Sequence, residues 1–352
     1  MKNRILMTTL AAVLAANAAN AAQGTAKVTV LATGGTIAGA QATQGGYGYQ
    51  PGAFDIKDLI SAVPNLDTLA IISGEQLVNI GSQDMNDAVW LKLAKRLGEV
   101  VKSPDTDAVI ITHGTDTMEE TGYFLDLVTK TDKPIVMVGS MRPATAISAD
   151  GPSNLYNGVA TAISPGAKGR GVMVVLNDQI DYARNVVKTN TSEVQTFRSV
   201  NRGPAGVSNT GVVTWFAPLD KKHGMTSEFS VDGLTTLPRV DIIYAHAGMN
   251  PDLIDAAVTL GAKGLIIAGV GGGNMTGPAL ERVTAAAKAG VVVVRSSRLV
   301  SGIVYRNNEI DDDKRGLVAS DELNPAKSRV LLMLALTKTR DVAKIQAMFN
   351  EY

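Results

Sequence analysis

A series of short, unbroken apolar runs, each bounded by Gly, Pro or Asp, sets the tightest limit on how this chain can fold. They are Val28–Ala32, Ala108–Thr112, Ile135–Val138, Val172–Leu176, Ile242–Tyr244, Leu265–Ala268 and Val291–Val294. Runs with no polar alternation suit strands covered on both faces, the usual situation in a parallel sheet. Helical patterns lie between them, as in Ala88–Val101, where Val89, Leu93 and Leu97 are four apart, and in Pro278–Ala289. Asp150, Pro152 and Ser153 give a further helix start. Strands alternating with helices predict an α/β fold with a mainly parallel sheet. The polar stretch 216–238, with Lys221-Lys222-His223, interrupts the rhythm and reads as an inter-domain linker. The expectation is a larger N-terminal α/β domain over 27–215 and a smaller C-terminal α/β domain over 239–352. With 352 residues, 45% of them hydrophobic, the chain has ample material for both cores.

Other features narrow the chemistry. Residues 1–22 read as a cleaved secretory signal: Lys2 and Arg4, then an apolar run from Ile5 to Ala16, then Ala19-Asn20-Ala21 as a small-residue cleavage site. That predicts a periplasmic protein, and no later segment reaches transmembrane length. The formal net charge of zero gives no electrostatic footprint for nucleic acid or an anionic membrane. The absence of cysteine excludes disulfides, thiolate catalysis and Cys-based zinc sites. His113, His223 and His246 are the only histidines, and none falls in a metal-binding spacing. No metal and no cofactor are expected.

In open parallel sheets, sites form where strands end. The first run is followed by Thr33-Gly34-Gly35-Thr36-Ile37, in which two glycines let backbone approach a ligand. The spacing is not that of a dinucleotide-binding turn. The second run is followed by His113-Gly114-Thr115-Asp116-Thr117-Met118-Glu119-Glu120. Thr117 and Glu120 are spaced as a capping box, which leaves Thr115 and Asp116 without a structural task. His113 reads as a satisfied strand-end residue rather than a catalyst. Gly81-Ser82-Gln83-Asp84-Met85 precedes a helix near Asn86, where a small carboxylate could meet free N–H groups. Gly139-Ser140-Met141-Arg142-Pro143 follows another strand and offers main-chain amides for an oxyanion hole. Gly45–Gly52 reads as a mobile loop. Lys188, taken alone, is an ordinary surface lysine that becomes significant only beside Thr115 and Asp116. The acidic run Glu309, Asp311, Asp312, Asp313 matches no calcium loop.

Over about Lys27 to Tyr352, these stretches in this order resemble the bacterial type II (periplasmic) L-asparaginases and the related glutaminase-asparaginases. The resemblance implies that Thr36 is a nucleophile forming an acyl-enzyme. It implies that Tyr49, rather than the nearby Tyr47, closes over the substrate and hydrogen-bonds Thr36. Thr115, Asp116 and Lys188 correspond to a second, supporting triad. Ser82, Gln83 and Asp116 correspond to holders of the substrate's α-amino and α-carboxylate groups, and Ser140 to a main-chain oxyanion contact. Asn274 and Glu309 correspond to residues lent by a neighbouring subunit, which implies a homotetramer with sites at dimer interfaces.

The expected reaction is hydrolysis of L-asparagine to L-aspartate and ammonia; Gly271–Gly277 mixes features that leave L-glutamine open as a substrate. With so few histidines, Lys188 and Tyr49 are the candidates for activating Thr36, and the residues alone do not assign one base. The rivals are a nucleotide-binding α/β protein and a periplasmic amino-acid-binding protein. The first lacks the third glycine, and the second needs no Thr-Lys-Asp cluster.

Overall fold

The structure is a computed structural model that describes residues 24–43 and 48–352. The secretory-signal reading at 1–22 and Tyr47 both fall outside the described residues.

The N-terminal domain is built on strands β1 (Lys27–Gly34), β2 (Ala40–Gln41), β3 (Tyr49–Gln50), β4 (Ile71–Ile80), β5 (Ala108–Thr112), β6 (Ile135–Val138), β7 (Val172–Leu176), β8 (Gln179–Tyr182), β9 (Val187–Lys188), β10 (Phe197–Arg198), β11 (Gly206–Asn209) and β12 (Val212–Trp215). Its main helices are α1 (Asp87–Val100), α2 (Met118–Val128) and α3 (Gly151–Ile163). Eight strands form one sheet in the order β12-β11-β8-β7-β6-β5-β1-β4. From β4 to β7 the pairing is parallel, and from β7 to β12 it is antiparallel. The C-terminal domain has strands β13 (Val240–Tyr244), β14 (Gly264–Gly269), β15 (Val292–Ser297) and β16 (Val318–Ala319) in an all-parallel sheet of that order. Helices α4 (Asp252–Thr259), α5 (Gly277–Lys288), α6 (Pro325–Ala335) and α7 (Val342–Glu351) accompany it. The expected α/β fold, with a larger N-terminal domain on a mainly parallel sheet and a smaller C-terminal one, holds, with an antiparallel extension on the larger sheet.

The apolar runs behave as double-sided strands. Leu31, Val109, Ile111, Met137 and Val174 point to one face, into a core shared with α1, α2 and the C-terminal helices. Val30, Ala32, Ile110, Val138 and Val175 point to the other, against α3. This is period-two alternation in which both sides are apolar. On α1 the inward stripe is Trp90, Leu93 and Leu97, with Trp90 stacked on Phe124 of α2 at 5.0 Å; Val89 is only half-buried. Phe229 is fully buried, so stretch 216–238 is pinned to the core although it holds no strand.

Strand order places the site. The chain runs from β1 to β4 on one flank, then returns to β5 on the other flank of β1. The carboxyl ends of β1 and β5 therefore border a topological switch point, the usual crevice for ligands in open α/β sheets.

Candidate active site

Two glycines bring those strand ends into contact. Gly35 has φ +86° and ψ −173°, a conformation open in practice to glycine alone. A Cβ there would lie 2.4 Å from both the Cα and N of Gly114. The loops after β1 and β5 thus touch backbone to backbone, with Thr36 and Thr115 each one residue beyond the contact. A Cβ on Gly114 would in turn meet Ser82 Oγ at 2.6 Å, so a third loop closes on the same point.

Thr36 opens a short 3-10 turn and is buried. Its Oγ1 lies 2.8 Å from the hydroxyl oxygen of Tyr49. Tyr49 reaches it from β3, which pairs with β2, and its ring lies over Gly39, whose missing side chain leaves room. The stretch expected to be a mobile loop is therefore partly a short strand. Tyr49 itself is 41% exposed.

Thr115 is buried, and its Oγ1 accepts a hydrogen bond from Lys188 Nζ at 2.9 Å. The same ammonium donates to Asp116 Oδ1 at 2.6 Å. Lys188 is mostly enclosed, with Asp116 on the solvent side. The lysine is thus not free surface: β9 delivers it to the end of β5. An open cleft of about 550 Å³, lined by Asp116, Glu119 and residues 188–191, adjoins the cluster. A larger cleft, about 650 Å³ between α1 and residues 230–235, contains none of these groups.

Ser82 is buried, and its Oγ accepts from the Asp116 N–H at 3.1 Å. The Gln83 amide folds back over Gly81. The Ser140 hydroxyl is also buried and donates to the Arg142 carbonyl at 2.7 Å. Asn274 Nδ2 donates to Glu309 Oε2 at 2.6 Å. These two form a pair of their own on the C-terminal domain, with no hydrogen bond to the Thr36 or Thr115 groups among the described residues.

Three expectations need correction. Thr117 occupies the cap position of α2 but makes no side-chain cap; its hydroxyl donates to the Ser82 carbonyl at 2.8 Å, tying two site loops together. The main-chain amides of Met141 and Arg142 are not open for an oxyanion, because the Asp150 carboxylate accepts both at 2.9–3.2 Å. Asp150 accordingly stands before α3 without capping it, and Pro152 marks the helix start. His113 is satisfied at one nitrogen only: Nδ1 meets the Gly114 carbonyl, while buried Nε2 has no partner. Burial holds its pKa down at about 4, so the ring is neutral at physiological pH.

Among the described residues, no group of three or more His, Asp or Glu side chains could hold a metal ion, and no helix is long and apolar enough to cross a membrane. Residues 27–221 match the profile described as "Asparaginase, N-terminal", and residues 239–349 match "Glutaminase/Asparaginase C-terminal domain". The chain belongs to the asparaginase family. A relative from Escherichia coli, named "L-asparaginase 2", is 48% identical over 344 residues and is matched across 98% of either chain. One from Haemophilus influenzae, "Probable L-asparaginase periplasmic", is 50% identical, over 92% of this chain and 93% of its own. Among solved structures, a probable cytoplasmic L-asparaginase from Campylobacter jejuni superposes with a TM-score of 0.90 at 46% identity, over 93% of this chain and 100% of that one. The two family matches fall one on each domain and together span both sheets.

Proposed function

We infer that this chain is an amidohydrolase that converts L-asparagine to L-aspartate and ammonia through a threonine acyl-enzyme. One arrangement carries the reading: a Thr36–Tyr49 pair and a Thr115–Lys188–Asp116 cluster at the touching ends of β1 and β5. A threonine hydroxyl is a weak nucleophile unless a neighbour takes its proton. In this scheme Thr36 Oγ1 attacks the side-chain amide carbon while the Tyr49 hydroxyl accepts its hydrogen bond. The proton leaves with ammonia, and main-chain N–H groups near Thr115 hold the oxyanion. Water, positioned by Thr115, then cleaves the ester and frees Thr36. Lys188 holds the Thr115 hydroxyl and neutralises Asp116. Ser82, Gln83 and Asp116 take the substrate's charged α-substituents.

Asn274 and Glu309 complete the site of a neighbouring copy in a homotetramer, with 216–238 joining the domains. Residues 1–22 direct export to the periplasm, a placement favoured by a relative named as periplasmic over the cytoplasmic label of the structural neighbour. Cell fractionation and the mass of the mature chain test the export.

The decisive assay is ammonia release from L-asparagine, with L-glutamine run in parallel. Thr36→Ala lowers turnover by on the order of 10³-fold or more while the fold persists. Near-normal turnover in that variant sinks the assignment.

A further inference from the structure

The side chain of Lys188 is held by Thr115 and Asp116, and the main chain at Lys188 and at Val186 before it meets two groups that the proposed reaction does not use. Glu119 lies in the first turn of α2, three residues after Asp116. One carboxylate oxygen accepts from Asn324 Nδ2 at 3.4 Å. The other is buried without a hydrogen-bond partner and faces Lys327 Nζ at 3.8 Å. The N–H of Lys188 approaches the same carboxylate. Lys327 enters from the C-terminal domain, in the first turn of α6, where the Asn324 side chain caps its N–H. It is only 1% exposed, and its ammonium donates to the Val186 carbonyl, two residues before Lys188.

Desolvating a lysine and a glutamate together is expensive, and apolar side chains of similar volume fill such a space at lower cost. Packing alone therefore does not account for the pair. Burial pushes the Glu119 carboxyl up and the Lys327 ammonium down, the latter to about 8, and each partner opposes the other's shift. Glu120 from α2, Asp181 from β8 and Arg184 just after it are the other charges facing Lys327.

We propose that Glu119 and Lys327 form a positioning pair that fixes the β9 main chain at the height from which Lys188 Nζ reaches Thr115, making the C-terminal domain part of the active-site geometry. The proposal rests on the role given to Lys188 above.

The test uses full-length Lys327→Met, Glu119→Gln and the double variant beside wild type and Thr36→Ala, with asparagine turnover and thermal unfolding measured for each. Lys327→Met lowers kcat by about ten- to 100-fold, the scale of a small misplacement of a catalytic group, while KM changes by less than about threefold. Glu119→Gln lowers kcat on the same scale with KM likewise little changed, and the double variant loses no more than the worse of the two single variants. Folded variants with kcat within about threefold of wild type, or with losses in the two single variants that simply multiply in the double, overturn the proposal. If Lys327→Met does not fold, an unchanged kcat in Glu119→Gln does so alone. An active Thr36→Ala would instead bring down the underlying enzymatic reading.

Discussion

Adding one methyl group at Gly35 should separate the two halves of the site. Gly35→Ala places a Cβ 2.4 Å from the Gly114 Cα and N, about 1 Å short of the 3.4 Å at which ordinary contact begins. Both obstructing atoms are backbone, so no rotamer change relieves the clash. The φ of +86° with ψ near 180° adds strain of about 1–3 kcal/mol for any residue with a side chain. The cheapest relief is for the loop after β1 to move away from the loop after β5. That carries Thr36 from Thr115 by roughly the same 1 Å, a misplacement that costs about 100-fold in turnover, or about 2.7 kcal/mol of barrier. Steady-state ammonia release from L-asparagine measures the loss, with thermal unfolding run on the same samples. Gly98→Ala is the matched control: the same methyl, in the interior of α1, meets nothing within 4 Å. It should leave turnover unchanged and add about 0.5–1 kcal/mol of stability. A folded Gly35→Ala enzyme within about threefold of wild-type kcat would refute the idea that the glycine contact sets the distance between the threonines.

Two further predictions concern the scaffold. Arg295 and Asp312 are fully buried and joined by two hydrogen bonds of 2.6 and 2.7 Å; Arg295 also binds the carbonyls of Gly272, Gly273 and Tyr305 beside Asn274 and Glu309. Arg295→Met leaves the Asp312 carboxylate uncompensated and should cost about 3–5 kcal/mol in urea unfolding, much of it recovered by Arg295→Met with Asp312→Leu; a loss below about 1 kcal/mol contradicts this. His223 places both ring nitrogens on carbonyl oxygens, those of Lys221 and Gly169, an arrangement that favours the doubly protonated ring. Burial lowers its pKa, but the Asp126 carboxylate and the two carbonyls outweigh that and leave it above its ordinary value. Its stabilisation is therefore complete below about pH 6.5 and is lost as pH rises through the folded value. Burial also raises Asp126, to about 6, which acts in the same direction. Unfolding free energy should fall as pH rises from about 4 through the folded value of His223, with a shallower slope above about pH 6.5 in His223→Gln. An unchanged slope refutes the anchoring role.

How far the sequence could be read follows from where each residue's partners come from. The bounds of β5, β6 and β7 were legible because those strands are buried on both faces, and an unbroken apolar run marks them without context. β4 was missed for the opposite reason: it is an edge strand, largely exposed, and Glu75, Gln76 and Asn79 hide its pattern. Thr36, Thr115 and Asp116 could be singled out locally, since each follows a strand at a glycine. The capping box failed because Thr117 has a better partner in the Ser82 carbonyl, from a loop that only the sheet order brings near. Asp150 failed in the same way, being drawn to the Met141 and Arg142 amides. Lys327 is the extreme case. It sits near the start of a helix, where lysines are ordinarily solvated, and its burial depends on α6 of one domain packing against α2 of the other. No periodicity in 325–335 encodes that contact. The residues that sequence leaves unread are those whose partners are fixed by tertiary packing, and around Lys188 they are the ones that join the two domains.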